Sequence, residues 1–140
     1  MRDDDLIAAA LAAKDRTYSP YSRFPVGSAV LAGGRVYTGA NVENASYGLS
    51  MCAERNAVMQ AVLDGARAID AVVVASDASP PAAPCGMCRQ MIMEFSADPA
   101  TVRVILVNRA GERREHTMAE LLPHAFRAED LAPPGERRRG

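Results

Sequence analysis

The sequence predicts an α/β fold, a three-layer α-β-α sandwich around a mixed five-stranded sheet. Three observations predict it. Ala71 to Ala75 (AVVVA) and Val102 to Val107 (VRVILV) are short apolar runs of the kind buried on both faces of a sheet. Between them Met87, Met91, Ile92 and Phe95 mark a helix, so strand, helix and strand make a parallel pair joined by a right-handed crossover. Val26 to Ala32 and Arg35 to Thr38 flank Gly33-Gly34, the pattern of a tight β-hairpin.

The remaining elements follow in order. Leu6, Ile7, Ala10 and Leu11 recur at helical spacing behind three aspartates, which suit the positive end of a helix. Ser19-Pro20-Tyr21-Ser22 breaks that helix. Residues 41–50 hold many turn formers and no clean period, and read as a loop. A helix is expected over 52–64, with Ser50 as its cap, Ala57, Val58, Ala61 and Val62 as its apolar stripe, and Gly65 as its stop. Residues 79–84 read as a loop, and the next helix begins near Cys85. Arg109-Ala110-Gly111 reads as a turn into a last short strand, and Met118 to Leu122 as a short helix. The 140 residues suit one domain, with a flexible tail from about 132 carrying Arg137, Arg138 and Arg139.

Composition narrows the function classes. The formal net charge of -1 gives no basis for bulk electrostatic binding to nucleic acid or membrane. Asp3, Asp4 and Asp5 stand where a signal peptide carries positive charge, and the apolar stretch ending at Lys14 is too short for a bilayer. A cytoplasmic protein is expected. The cysteines number three, Cys52, Cys85 and Cys88, an odd count that argues against a disulfide framework.

Cys85-Gly86-Met87-Cys88 sets two thiols three residues apart at a helix start, where both sulfurs can reach one ion. Alone, the same spacing fits a redox dithiol. Cys52 adds a third thiol at another helix start. By itself it would read as a buried, unreactive cysteine. Together the three leave a fourth position free, the pattern of a catalytic zinc. Glu54 is two residues from Cys52 and off its helical face, so proton transfer suits it better than ligation. Away from a metal it would be a surface charge. Three thiolates on Zn²⁺ leave the site about one negative charge in excess, which weakens the ion's pull on water. Arg55 is the favoured compensating cation, with Arg89 the other choice, and either could form a surface ion pair instead.

These blocks together resemble the small homotetrameric cytidine deaminases, whose zinc motifs carry Cys-x-Glu and Pro-Cys-x-x-Cys. The resemblance rests on residues 18–22 with 24–27, 41–47, Cys52-Ala53-Glu54-Arg55, Pro84 to Gln90, and 120–123 with Phe126. It implies the cytidine deaminase-like fold. It implies one zinc per subunit on Cys52, Cys85 and Cys88, and Glu54 as the proton shuttle. It further implies that Asn41 and Glu43 bind the ribose 3'-hydroxyl, that Phe24 lies against the base, and that Ala45, Tyr47 and Phe126 are lent across subunit interfaces. Read without it, Asn41 suits a turn, and Phe24 and Phe126 suit a core. The reaction implied is hydrolytic deamination of cytidine and 2'-deoxycytidine in pyrimidine salvage. A blasticidin S deaminase is the nearest alternative, though such relatives lack the glutamate at position 43. A structural zinc module completed by His116 or His124, or a dithiol oxidoreductase, is more distant.

Overall fold

The computed structural model describes residues 1–132, so the expected tail lies, apart from Ala132, outside the described residues. Helix α1 (Asp3–Lys14) leads to a hairpin of β1 (Val26–Ala32) and β2 (Arg35–Ala40). Helix α2 (Ala53–Leu63), strand β3 (Ala71–Ser76) and helix α3 (Gly86–Glu94) follow. Strands β4 (Arg103–Val107) and β5 (Arg113–Thr117) and helix α4 (Met118–Leu121) complete the fold, with single 3-10 turns at Tyr47–Leu49 and Ala128–Leu131. Among the described residues no helix is long and apolar enough to cross a membrane.

The five strands lie in the order β2-β1-β3-β4-β5. Only β3 and β4 run parallel, in the register Val72 opposite Val104, and the other neighbours are antiparallel. The hairpin turns on Gly33 and Gly34, both at positive φ (59° and 76°), the two-residue turn whose twist matches its strands. Three consecutive valines form the middle of β3, and every one of its positions is buried.

Side-chain alternation along β3 divides the core. Ala71, Val73 and Ala75 pack with Leu6, Ala10, Ala29, Ile105 and Val107 beneath α1. Val72 and Val74 face the other way, toward Ala57, Val58 and Ala61 of α2, Ile92 and Met93 of α3, and Met118 of α4. This is the expected three-layer sandwich with its mixed sheet. The helices sit close because of glycine. A Cβ on Gly27 would lie 2.1 Å from the Ala10 carbonyl oxygen and 2.3 Å from the Lys14 nitrogen, so only glycine lets α1 reach β1.

One expected boundary device is different. Ser50 does not cap α2; Cys52 occupies the N-cap position, in extended backbone and without a side-chain capping bond. The Ser50 hydroxyl instead accepts the backbone N–H of Asn44 at 3.2 Å. A serine two residues too early cannot reach the helix's free N–H groups.

Candidate metal centre and cavity

Topology brings three chain segments to one end of the sheet. Val26, at the start of β1, pairs with Ser76, at the end of β3, and Gly27 pairs with Ala40, at the end of β2. The loops that leave β2 and β3 at this end carry the first residues of α2 and α3. Crevices at the carboxyl ends of strands are the usual ligand sites of α/β sheets.

Cys52 is the N-cap of α2 and Cys85 the N-cap of α3, with Cys88 in the first turn of α3. Their sulfurs converge: Cys52 Sγ to Cys85 Sγ is 3.9 Å, and Cys85 Sγ to Cys88 Sγ is 3.4 Å. All three lie within 4.8 Å of one another. Sulfurs bound tetrahedrally to zinc at about 2.3 Å stand roughly 3.8 Å apart, so the spacing fits that ion. Among the described residues no histidine or carboxylate joins this cluster, which leaves His116 and His124 out of it. The N-terminal ends of two helices also direct their partial positive charge here, which favours thiolates.

Donor chemistry agrees with that geometry. Hydrogen bonding with Cys88, then with Arg55 and Cys85, outweighs burial and holds the Cys52 thiol down at about 5. The Cys88 thiol is pushed up, first by its hydrogen bond with Cys52 and then by burial. Thiols packed this closely hold their last protons in common, and a divalent cation replaces such protons.

Arg55 is the cation at the cluster. Its Nη2 lies 3.8 Å from Cys52 Sγ and donates to the Ser50 carbonyl at 3.0 Å. Arg89 is committed elsewhere, to the carbonyls of Pro84 and Leu121 at 2.8 Å each. It braces the start of α3 against α4 and gives no bond to sulfur.

A cavity of about 270 Å³ opens beside the sulfurs, just under the usual size of ligand pockets. Cys52, Cys85 and Glu54 line it, as do Phe24, Asn41 and Glu43. Glu54 is only 5% exposed. Burial pushes its carboxyl up, with the charge of Cys52 adding to the effect, against an opposing bond from its own backbone N–H. Asn41 is braced by the scaffold: its Oδ1 accepts from the Val26 N–H at 2.9 Å and from the Thr17 hydroxyl, and one Nδ2 hydrogen goes to the Phe24 carbonyl at 2.9 Å, which leaves the second for a ligand. Glu43 accepts the backbone N–H groups of Tyr21 and Ser22 at 3.0 Å each and the Ser22 hydroxyl. The Ser22 bonds chiefly hold its carboxyl below the usual range.

Family comparison decides what this arrangement belongs to. Residues 1–105 match the family model described as the cytidine and deoxycytidylate deaminase zinc-binding region. The chain belongs to the cytidine and deoxycytidylate deaminase family. It is 46% identical over 134 residues to the cytidine deaminase of Sporosarcina psychrophila, covering 95% of this chain and 97% of that one. It is 49% identical over 127 residues to that of Halalkalibacterium halodurans, covering 90% and 95%. The crystal structure of the cytidine deaminase from Burkholderia pseudomallei superposes with a TM-score of 0.85 at 44% identity, over 90% of this chain and all of that one. Zinc is therefore the metal this deaminase-family site is built to hold.

The residues expected to serve neighbouring copies do not line the chain's own cavity. Ala45, Tyr47 and Phe126 lie outside it, with Tyr47 75% and Phe126 58% exposed. The Tyr47 ring packs edge-on against Tyr21 of its own chain, centroids 5.9 Å apart. Phe126 is fastened through its carbonyl, which accepts Gln90 Nε2 at 2.8 Å. Conversely, Ser22, Ser76, Ala82 and Ala83 line the deaminase cavity without having been anticipated. The loop that supplies both alanines and leads to Cys85 is tied down at its start. Asn108, buried at the end of β4, donates to the Ala78 carbonyl and to Glu112 at 3.0 Å each, and the Ser79 hydroxyl donates to the same carboxylate. Nothing in the local sequence of 79–84 reveals that partner.

Proposed function

We propose that this chain hydrolyses cytidine and 2'-deoxycytidine to uridine and 2'-deoxyuridine, releasing ammonia. The observation that carries the proposal is the buried carboxylate of Glu54 in the same cavity as the metal-binding sulfurs of Cys52 and Cys85. Relatives named cytidine deaminase over nearly the full length of the chain support it.

Zinc, when bound by the three cysteines, supplies Lewis-acid activation of water near neutral pH. Glu54 takes a proton from the attacking water and delivers it to N3 of cytosine as the oxygen bonds to C4. A second proton passes through the same carboxylate to the amino group, and ammonia leaves with the C4–N bond electrons. Burial suits Glu54 to both duties, because it brings the carboxyl nearer to the working pH. Arg55 offsets the surplus negative charge of three thiolates on a divalent ion. Phe24 offers an aromatic face to the flat base, and Asn41 and Glu43 hold the ribose 3'-hydroxyl.

Ala45, Tyr47 and Phe126 serve the sites of neighbouring copies in a homotetramer. Their exposure beyond the chain's own cavity supports this. The enzyme works as one domain over 1–140, in the cytoplasm, in pyrimidine salvage. The charge balance favours a nucleoside over a polynucleotide, and Glu43 favours a ribose over an antibiotic such as blasticidin S.

The test is ultraviolet monitoring of cytidine before and after chelation. Turnover is expected to stop when metal is removed and to return with added zinc. Unchanged turnover by metal-free protein, or none by the zinc-loaded protein, contradicts the proposal.

A further inference from the structure

We infer that Ser22 is a positioning residue whose single hydroxyl locks the ribose-reading carboxylate of Glu43 to the base-facing segment at Phe24. The inference rests on the proposed nucleoside reaction and adds a residue to its recognition machinery.

Ser22, Phe24 and Glu43 all line the cavity. The Ser22 hydroxyl donates to Glu43 Oε2 and accepts the backbone N–H of Phe24 at 3.0 Å. A hydroxyl has one proton and two lone pairs, so these two bonds together fix its rotor. Glu43 Oε1 is held independently by the N–H groups of Tyr21 and Ser22. Both carboxylate oxygens are therefore anchored to one turn, and Oε2 has the serine hydroxyl as its anchor. Bonds to an ionised acceptor are the stronger kind.

The same turn is held from its other side. Asn41 Nδ2 donates to the Phe24 carbonyl, while its Oδ1 accepts from Val26. Phe24 thus has its N–H on Ser22 and its C=O on Asn41. Glu43, Ser22, Phe24 and Asn41 form one hydrogen-bonded unit, in which the groups for sugar and base are set relative to each other. Removing the hydroxyl frees Oε2 and leaves the Phe24 N–H without its acceptor. Glu54 and the three sulfurs, at the starts of α2 and α3, make none of these bonds and are untouched. The effect falls on binding and not on the chemical step.

The experiment uses zinc-loaded, full-length Ser22→Ala with cytidine and with 3'-deoxycytidine. Loss of one bond to a charged group predicts a KM for cytidine raised about tenfold, with kcat within about twofold. The KM penalty should be at least about threefold smaller on 3'-deoxycytidine, and on a Glu43→Gln background with cytidine, because residues acting as a unit are not additive. Equal penalties on both nucleosides, a penalty that persists undiminished without Glu43, or loss of zinc or folding in Ser22→Ala overturns the inference. Wild-type protein that fails to consume cytidine would instead defeat the proposed reaction itself.

Discussion

Glu54→Gln is expected to keep its zinc and lose about 10²- to 10⁴-fold in kcat, the usual contribution of a positioned acid–base group. The substitution preserves shape and volume. The sulfurs of Cys52, Cys85 and Cys88, which hold the metal, are unchanged. Glutamine can neither accept the proton of water nor return it to N3. Because the native carboxyl is only 5% exposed, bulk water has little access to replace it as a proton carrier. Steady-state kinetics beside zinc analysis check this. Near-native turnover in a zinc-loaded variant would remove Glu54 from the proton path.

Cys88→Ala is expected to lose both metal and activity, and to unfold more easily. Its sulfur is fully buried and stands 3.4 Å from that of Cys85. Without it two thiols remain, on two different helices, and neither backbone segment can supply a third sulfur. A ligand that binds the folded state stabilises it, so the variant should lose the extra stability that zinc gives the parent. The comparison is zinc per chain, cytidine turnover, and denaturant midpoints with and without chelator. Parent and variant should differ before chelation and approach each other after it, apart from the cost of the small cavity left by the sulfur. Stoichiometric zinc with full turnover in Cys88→Ala would exclude it as a ligand.

The elements legible in the sequence are those whose cues are local. The runs AVVVA and VRVILV became β3 and β4, buried throughout or nearly so, because no polar residue interrupts AVVVA and only Arg103 marks the rim of β4. The hairpin was legible through Gly33-Gly34. The cysteine trio and Glu54 were legible because their residue types are rare in combination. Ser50 misled because cap preference is statistical, whereas Cys52 is held at the N-cap position beside the other sulfurs. At Lys14 the local sequence is silent. The residue ends α1 as a surface lysine would, yet its side chain is only 6% exposed and pairs with Asp77 at 2.6 Å, a partner 63 positions away. Ser22, Ala82 and Ala83 carry no signal of their own and become cavity lining only because the neighbouring strands β1 and β3 bring the segment before one and the loop after the other together. Strand β5 (RREHT) has no apolar alternation; its pairing with β4 and the ion pairs of Glu115 with Arg103 and of Arg113 with Asp3 define it.

Deamination at this site requires three sulfurs and no further protein ligand around one zinc. X-ray absorption at the zinc edge of the purified protein measures that directly. Three sulfurs and one lighter donor displaced by competing small anions is the predicted first shell. Four protein-derived donors, or a shell containing imidazole in place of a sulfur, would contradict it.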